Sequence, residues 1–231
     1  MSKHGEIMMS EIRQTPEIFS KIIANDQITP QLAALITDSS IKSILILARG
    51  TSDNAAHFMK YLVETQLGLP CGLTSPSSVS IYNSNLHYEN TLVVAISQSG
   101  KSTDLVQFAK SSKESGAKLV SITNDSRSPL AQVADFHISL QAGPEIAVAA
   151  TKSYSAQLLL SYLLVMKWAN KAPHIDKLVS EAEAALGQET VIKEVAKGID
   201  LKGDLVVLGR GFAYPNAKEA ALKIQIGRAH V

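Results

Sequence analysis

Residues 97–103 read Ser-Gln-Ser-Gly-Lys-Ser-Thr, a loop-like run with hydroxyls at 97, 99, 102 and 103, an amide at Gln98 and a glycine at 100. Such a set suits an anion. Hydroxyls and backbone N–H groups hold a phosphate with little fixed charge, and glycine lets the main chain curl around it. Gly50-Thr51-Ser52 and Thr123-Asn124-Asp125 have the same character on a smaller scale. The same residue types also occur in strand-to-helix loops merely as caps and turns. That plainer reading weighs most on 50–52 and least on 97–103. Lys152 follows Ala149-Ala150-Thr151 and suits either phosphate neutralisation or a helix start. A lysine in a first helical turn opposes the helix dipole, which favours a ligand or ion-pair role.

Other chemistries are excluded by spacing. Gly100-Lys101-Ser102 has the ending of a nucleotide-binding P-loop, but that pattern needs glycine at 95, where the chain has Ala95. Gly209-Arg210-Gly211 starts like a dinucleotide fingerprint, whose third glycine would fall on Tyr214. The six histidines show no metal-ligand spacing, and His57 and His137 read as structural. Cys71 is the only cysteine, so no intrachain disulfide forms; beside Pro70 in an apolar stretch it reads as a buried thiol. Lysine and arginine number 22 against 21 acidic residues, a formal charge of +1 that offers no field for nucleic acid or an anionic membrane. The N-terminus lacks an apolar signal core, and residues 158–166 are too short to span a bilayer. A soluble, cytoplasmic protein is the expectation.

The elements that must position these groups follow from hydrophobic periodicity. Helices are predicted over 10–25, with Thr15-Pro16 as cap and first turn, and over 31–37, 53–67, 104–115 and 128–133. Strands are predicted over 43–48, 91–96, 118–123 and 136–140. Runs apolar on both faces, alternating with helices, predict a doubly wound α/β fold: a parallel sheet flanked by helices on both sides. Two long helices follow over 151–170 and 175–196, then a strand over 204–208 and a helix from Pro215. The expected organisation is a first domain over 1–172, a linker helix over 173–202 and, over 203–231, the start of a second domain.

That second domain is suggested by an internal echo. Ile-Leu-Ile-Leu-Ala-Arg-Gly (44–50) resembles Leu-Val-Val-Leu-Gly-Arg-Gly (205–211), and Asn54-Ala55 and Asn216-Ala217 follow in turn. One strand and one helix cannot bury both sheet faces, so the second half is expected to be incomplete.

Taken together, Arg-Gly-Thr-Ser (49–52), Ser-Gln-Ser-Gly-Lys-Ser (97–102), Ala-Val-Ala-Ala-Thr-Lys-Ser-Tyr (147–154) and Leu-Gly-Arg-Gly…Tyr-Pro…Lys-Glu-Ala-Ala-Leu-Lys (208–223) resemble the sugar isomerase (SIS) family. More narrowly, they look like the isomerase half of glutamine–fructose-6-phosphate aminotransferases and their stand-alone relatives, the glucosamine-6-phosphate deaminases. The resemblance runs over roughly residues 10–225. It implies a homodimer of two-domain subunits that acts on hexose or hexosamine 6-phosphates with no metal or organic cofactor. It assigns the 6-phosphate to Ser97, Gln98, Ser99 and Ser102, and the sugar to Thr51, Ser52, Val148 and Lys152. Ala150 stands where the family has Ser, which removes one sugar hydrogen bond. Glu219 and Lys223 match positions at the reacting end, where the family's Lys assists proton movement. The family's main base, a Glu three residues further on, is replaced by Ile226, and its ring-opening His and C-terminal Lys would lie beyond Val231.

Residues 226–231, Ile-Gly-Arg-Ala-His-Val, do not continue the family pattern. They match the translation of a sequencing-library adapter, so the natural protein is expected to be longer. The chain starts directly at the predicted helices with Ser2 after Met1, without the N-terminal cysteine of a glutaminase. The resemblance therefore favours deamination, aminosugar phosphate to ketose phosphate plus ammonia, over glutamine-dependent amination. Two rivals remain. A sugar-phosphate-sensing module of a transcription regulator needs a DNA-binding helix pair, for which the first 40 residues are too short and too weakly basic. A non-catalytic regulator of a partner enzyme fits Ile226 as it stands.

Overall fold

The computed structural model describes residues 3–37, 40–199 and 203–228. The chain opens with α1 (Lys3–Ile12) and α2 (Thr15–Ala24) where one helix over 10–25 was predicted. The cause is Pro16, which has no N–H to donate back to residue 12 and so starts a new helix at its second position. Then come α3 (Pro30–Ala34), β1 (Ser43–Leu47), α4 (Thr51–Leu62) and a π-helical turn, Val63–Leu67, closed by Gly68 at φ +66°. The rest of the sheet region is β2 (Cys71–Leu73), α5 (Ser77–Ser80), β3 (Thr91–Ser97), α6 (Thr103–Glu114), β4 (Lys118–Thr123), α7 (Pro129–Val133) and β5 (Phe136–Ser139). Helices α8 (Lys152–Trp168), α9 (Leu178–Leu186), α10 (Glu189–Lys197) and α11 (Tyr214–Arg228), the last preceded by a 3-10 turn Gly211–Ala213, complete the described chain.

The sheet order is β2-β1-β3-β4-β5, and every pairing is parallel. Strand β3 lies at its centre with all seven residues buried. Because side chains alternate along a strand, Leu92, Val94 and Ile96 face one core with Met59 of α4 and Leu159, Leu160 and Leu164 of α8. Val93 and Ala95 face the other core with Leu105, Phe108 and Ala109 of α6 and Leu130 of α7. Both faces are covered, as a doubly wound sheet requires. Each fully buried aliphatic side chain contributes roughly 1.5–3 kcal/mol here. No helix among the described residues is long and apolar enough to cross a membrane.

Three expectations change. The helix over 175–196 is two helices, α9 and α10, divided at Gly187 and Gln188; glycine is among the weakest helix formers. The strand over 204–208 does not form. A strand needs a neighbour for its N–H and C=O groups, and among the described residues none pairs with this segment. Leu205 and Val207 instead line a cleft against Ala221 and Ile224 of α11. Strand β2, the edge strand that holds Cys71, was not predicted. The expected domain boundary at 202/203 and residues 229–231, like Ser2, fall outside or at the edge of the described residues.

Candidate functional site

Strand β1 pairs with β2 on one side and β3 on the other, so the chain's winding reverses between β1 and β3. Ligands in open α/β sheets bind in the crevice beyond the carboxyl ends of strands at such a switch point. Here the crevice is a shallow cleft of about 200 Å³. Arg49, Thr51 and Ser52 line it from the turn after β1; Ser97, Gln98 and Ser99 from the end of β3; Ala150, Ser153 and Gln157 from the start of α8. A larger groove of about 630 Å³ runs between Phe58, Leu62, Tyr162, Met166 and Phe212, but its walls are mostly apolar.

The 97–103 loop is tightly built. The Gly100 N–H donates to Ser97 Oγ (3.1 Å) and the Lys101 N–H to Ser99 Oγ (3.3 Å). Both oxygens are thus oriented by backbone donors, which leaves their O–H protons to donate elsewhere. Neighbouring chain pins the loop from below: Asn124 N–H donates to the Gln98 carbonyl (3.0 Å) and Leu130 N–H to the Gly100 carbonyl (3.1 Å). Gly100 has φ +62°, and a Cβ there would lie 2.3 Å from Ser128 Oγ, so only glycine fits. Ser102 caps α6 with no side-chain bond to the helix, which leaves its hydroxyl beside the first turn. The backbone N–H groups and dipole of a helix N-terminus favour an anion at that position. Nearby positive charge is already engaged, since Arg49 Nε donates to Asp104 Oδ2 at 2.9 Å.

The turn after β1 carries the second half of the site. Gly50, at φ +56°, starts α4. Thr51 Oγ1 donates to Glu219 Oε1 (3.1 Å) and accepts from Lys223 Nζ (2.9 Å). Lys223 and Glu219, one helical turn apart on α11, also pair with each other at 2.5 Å. Asn54 Nδ2 donates to Glu219 Oε2 at 2.7 Å, so the buried carboxylate has partners on both oxygens. Ser52 Oγ accepts from Gln157 Nε2 at 3.0 Å. Beside this group, Tyr154 O–H donates to Asn216 Oδ1 (2.9 Å), and burial, with Glu219 nearby, pushes the phenol well above its ordinary pKa.

Of the residues singled out from sequence, Thr51, Ser52, Ser97, Gln98 and Ser99 line one cleft, and Glu219 and Lys223 reach its edge through Thr51. Two stand apart. Lys152 is 1% exposed and donates from Nζ to Gln14 Oε1 (2.8 Å), tying α8 to the start of α2. Val148 is 74% exposed and is not among the residues that line the cleft. The loop before α8 is held by two carboxylates: Glu11 accepts from the Ile146 and Ala147 amides, and Glu145 from the Thr151 and Ser153 amides and the Ser153 hydroxyl. Sequence reading missed Ser153, Gln157 and Asn54. Ser153, Gln157 and Ser161 recur every four residues on α8 and are all buried, a polar stripe on one helix face that their spacing records. Among the described residues no group of three or more His, Cys, Asp or Glu side chains is arranged to hold a metal ion.

Comparison with known proteins agrees with this architecture. A glutamine–fructose-6-phosphate aminotransferase of Methanothermobacter thermautotrophicus is 34% identical over 227 residues, covering 96% of this chain and 37% of that protein. One from Clostridium tetani is 29% identical over 241 residues, covering 96% of this chain and 40% of that protein. The chain thus spans about 40% of the length of these curated relatives. Among solved structures, the C-terminal domain of the Francisella tularensis glucosamine–fructose-6-phosphate aminotransferase superposes with a TM-score of 0.75 at 29% identity, over 94% of this chain and 66% of that one. A glucosamine-6-phosphate deaminase of Thermotoga maritima shares the fold, with a TM-score of 0.74 at 22% identity over 96% of this chain and 66% of that one. The SIS domain family matches residues 39–167, more than half of the chain, and the chain belongs to that family.

Proposed function

We propose that the cleft between β1 and β3 binds a hexose or hexosamine 6-phosphate, and that the whole protein is an aminosugar-6-phosphate deaminase/isomerase. The phosphate lies against Ser97, Gln98, Ser99 and Ser102 at the start of α6, and the sugar extends toward Thr51 and Ser52. The observation that carries this reading is the convergence of two independent parts of the chain. A backbone-braced hydroxyl loop forms one wall, and a Lys–Glu pair from α11 meets Thr51 at the other. A proton-handling pair at the far end of a phosphate cradle is what ketose–aldose interconversion needs. Lys223, in contact with both Glu219 and a hydroxyl, assists proton movement at the sugar oxygens.

In the deaminating direction the protein converts glucosamine 6-phosphate and water into fructose 6-phosphate and ammonia. The relatives named as aminotransferases support a second reading, in which this region is the isomerase half of a glutamine-dependent enzyme. Assay of the natural full-length protein separates the two: ammonia release from glucosamine 6-phosphate outpacing its synthesis from glutamine supports the first, and the reverse supports the second. For the 231-residue chain, with Ile226 in place of the family's base, the proposal is sugar-phosphate affinity with little or no turnover. Calorimetry with fructose 6-phosphate and glucosamine 6-phosphate tests the site. The Ser97→Ala/Ser99→Ala double variant loses two charge-assisted hydrogen bonds, at ~1.5–3 kcal/mol each, so affinity falls by at least ~100-fold. Equal affinity in the variant and the parent would overturn the assignment.

A further inference from the structure

Helices α4 and α11 run antiparallel. Thr51 meets Lys223 and Glu219, His57 meets Lys218 and Tyr214, and Phe58 and Tyr61 meet Phe212. Midway along this seam is a cluster that the proposed site does not use. Lys218 Nζ is 2.7 Å from His57 Nε2 and 3.6 Å from Asp53 Oδ2, and Asp53 Oδ2 is 3.8 Å from His57 Nε2. Lys218 Nζ also lies 5.8 Å from the centroid of the Tyr214 ring, which meets His57 edge-on at 5.5 Å. A 2.7 Å contact between an ammonium and an imidazole nitrogen requires the imidazole to be neutral, with its Nε2 lone pair accepting. One residue further on, Glu219 takes its bonds from Thr51 and Asn54, so whatever fixes Lys218 fixes Glu219.

We propose that Lys218, His57 and Asp53 form a clasp that sets the register of α11 on α4, with Lys218 the positioning residue that holds Glu219 and Lys223 at Thr51 and His57 its proton-sensitive half. The proposal rests on reading Glu219 and Lys223 as the groups that act on the sugar. The charged and titratable groups around His57 are Asp53 and Lys60 on its own helix and Lys218 and Tyr214 on α11. Burial first, then Lys218, holds the imidazole below its ordinary pKa of 6.5, against the opposing pull of Asp53. The neutral form therefore stabilises the seam fully above about pH 6.5, and that stabilisation drains away as the pH falls below it. A protonated His57 sets two cations against each other and leaves Asp53 to serve both.

Hydrogen exchange of α11 amides in the ligand-free 231-residue chain tests this without reference to any sugar. Between about pH 7.5 and pH 5, after correction for intrinsic rates, α11 protection in the parent falls severalfold while α8 protection holds. His57→Gln keeps an uncharged acceptor for Lys218 and retains protection at both pH values. Lys218→Met lacks the clasp at both and shows no pH step. A step that survives in His57→Gln would assign it to Glu219 or Asp53 and overturn the proposal, as would full protection in Lys218→Met. Loss of sugar-phosphate affinity in Ser97→Ala/Ser99→Ala leaves all of these readings unchanged, so the two hypotheses fail separately.

Discussion

Replacing Gly100 by alanine separates the anion-site reading from a merely structural loop. The backbone there has φ +62°, and the added methyl would sit 2.3 Å from Ser128 Oγ, 2.6 Å from Ser128 Cβ and 3.1 Å from Thr123 Cγ2. The first contact falls about 1 Å short of ordinary van der Waals distance. Ser128 cannot yield freely, because its Oγ accepts from the Ala131 N–H at the start of α7. Left-handed backbone costs a non-glycine residue about 1–2 kcal/mol, and forcing atoms into a packed site costs ~1–3 kcal/mol more. The loop relieves the clash by lifting away from α7, and this misaligns the Ser97 and Ser99 hydroxyls and the α6 amides together. Loss of one charge-assisted bond, ~1.5–3 kcal/mol, already lowers sugar-phosphate affinity by ~10- to 100-fold. Gly68→Ala is the matched control: its φ is +66° but nothing lies within 4 Å of the added Cβ, so it pays the backbone cost and keeps affinity. Adding Ser128→Gly to Gly100→Ala removes the two shortest contacts, leaves the 3.1 Å approach to Thr123 Cγ2, costs a few tenths of a kcal/mol in capping and recovers most of the binding. Measured by urea denaturation and calorimetry, equal affinity in Gly100→Ala and Gly68→Ala would refute the reasoning.

Two further expectations concern the core. Burial pushes the Cys71 thiol up to about 12, so at pH 8 it is almost wholly protonated and unreactive. Labelling by a disulfide reagent should therefore follow the unfolding rate, and complete reaction of the native protein within seconds would contradict this placement. Trp168 Nε1 donates to the Leu32 carbonyl at 3.0 Å, joining α8 to α3 in a buried contact. Trp168→Phe removes that bond and leaves the carbonyl with the Leu35 N–H at 3.3 Å, so it should lower unfolding stability in urea by ~0.5–1.5 kcal/mol; no measurable change would show the bond to be dispensable.

The parallel sheet was legible because its inner strands are apolar on both faces. Residues 43–48, 91–96 and 118–123 had been assigned with boundaries within a residue of β1, β3 and β4. The edge strand β2 was not, since Cys71-Gly72-Leu73 is too short to show periodicity and takes its strand character from pairing with Ile44 to Ile46. Missing β2 also hid the switch point, which exists only because β1 has neighbours on both sides. The hydroxyl residues of the cleft were readable from their types. Lys152 was not: its side chain is drawn to Gln14, 138 positions away, and no local pattern records that distance. Ser153 and Gln157 were not singled out, although they stand four residues apart on one helix face.

The internal echo makes the same distinction between local and distant causes. Gly50 and Gly211 occupy equivalent places in the two Arg-Gly turns, and both have positive φ, +56° and +61°, Gly50 just before α4 and Gly211 as the first residue of the 3-10 turn. Turn geometry depends on two or three consecutive residues, so the repeated sequence reproduces it. The preceding Ile-Leu-Ile-Leu and Leu-Val-Val-Leu runs are just as similar, yet 43–47 is a strand and 204–208 is not. The first run has β2 and β3 to bond with, whereas among the described residues the second lies against α11 and pairs with no strand. The asparagines that follow each turn take different partners: Asn54 of α4 donates to Glu219 of α11, and Asn216 of α11 accepts from Tyr154 of α8. Among the described residues the repeat thus shares its turn but not its strand pairing. Torsions travel with the sequence. Strands wait for partners.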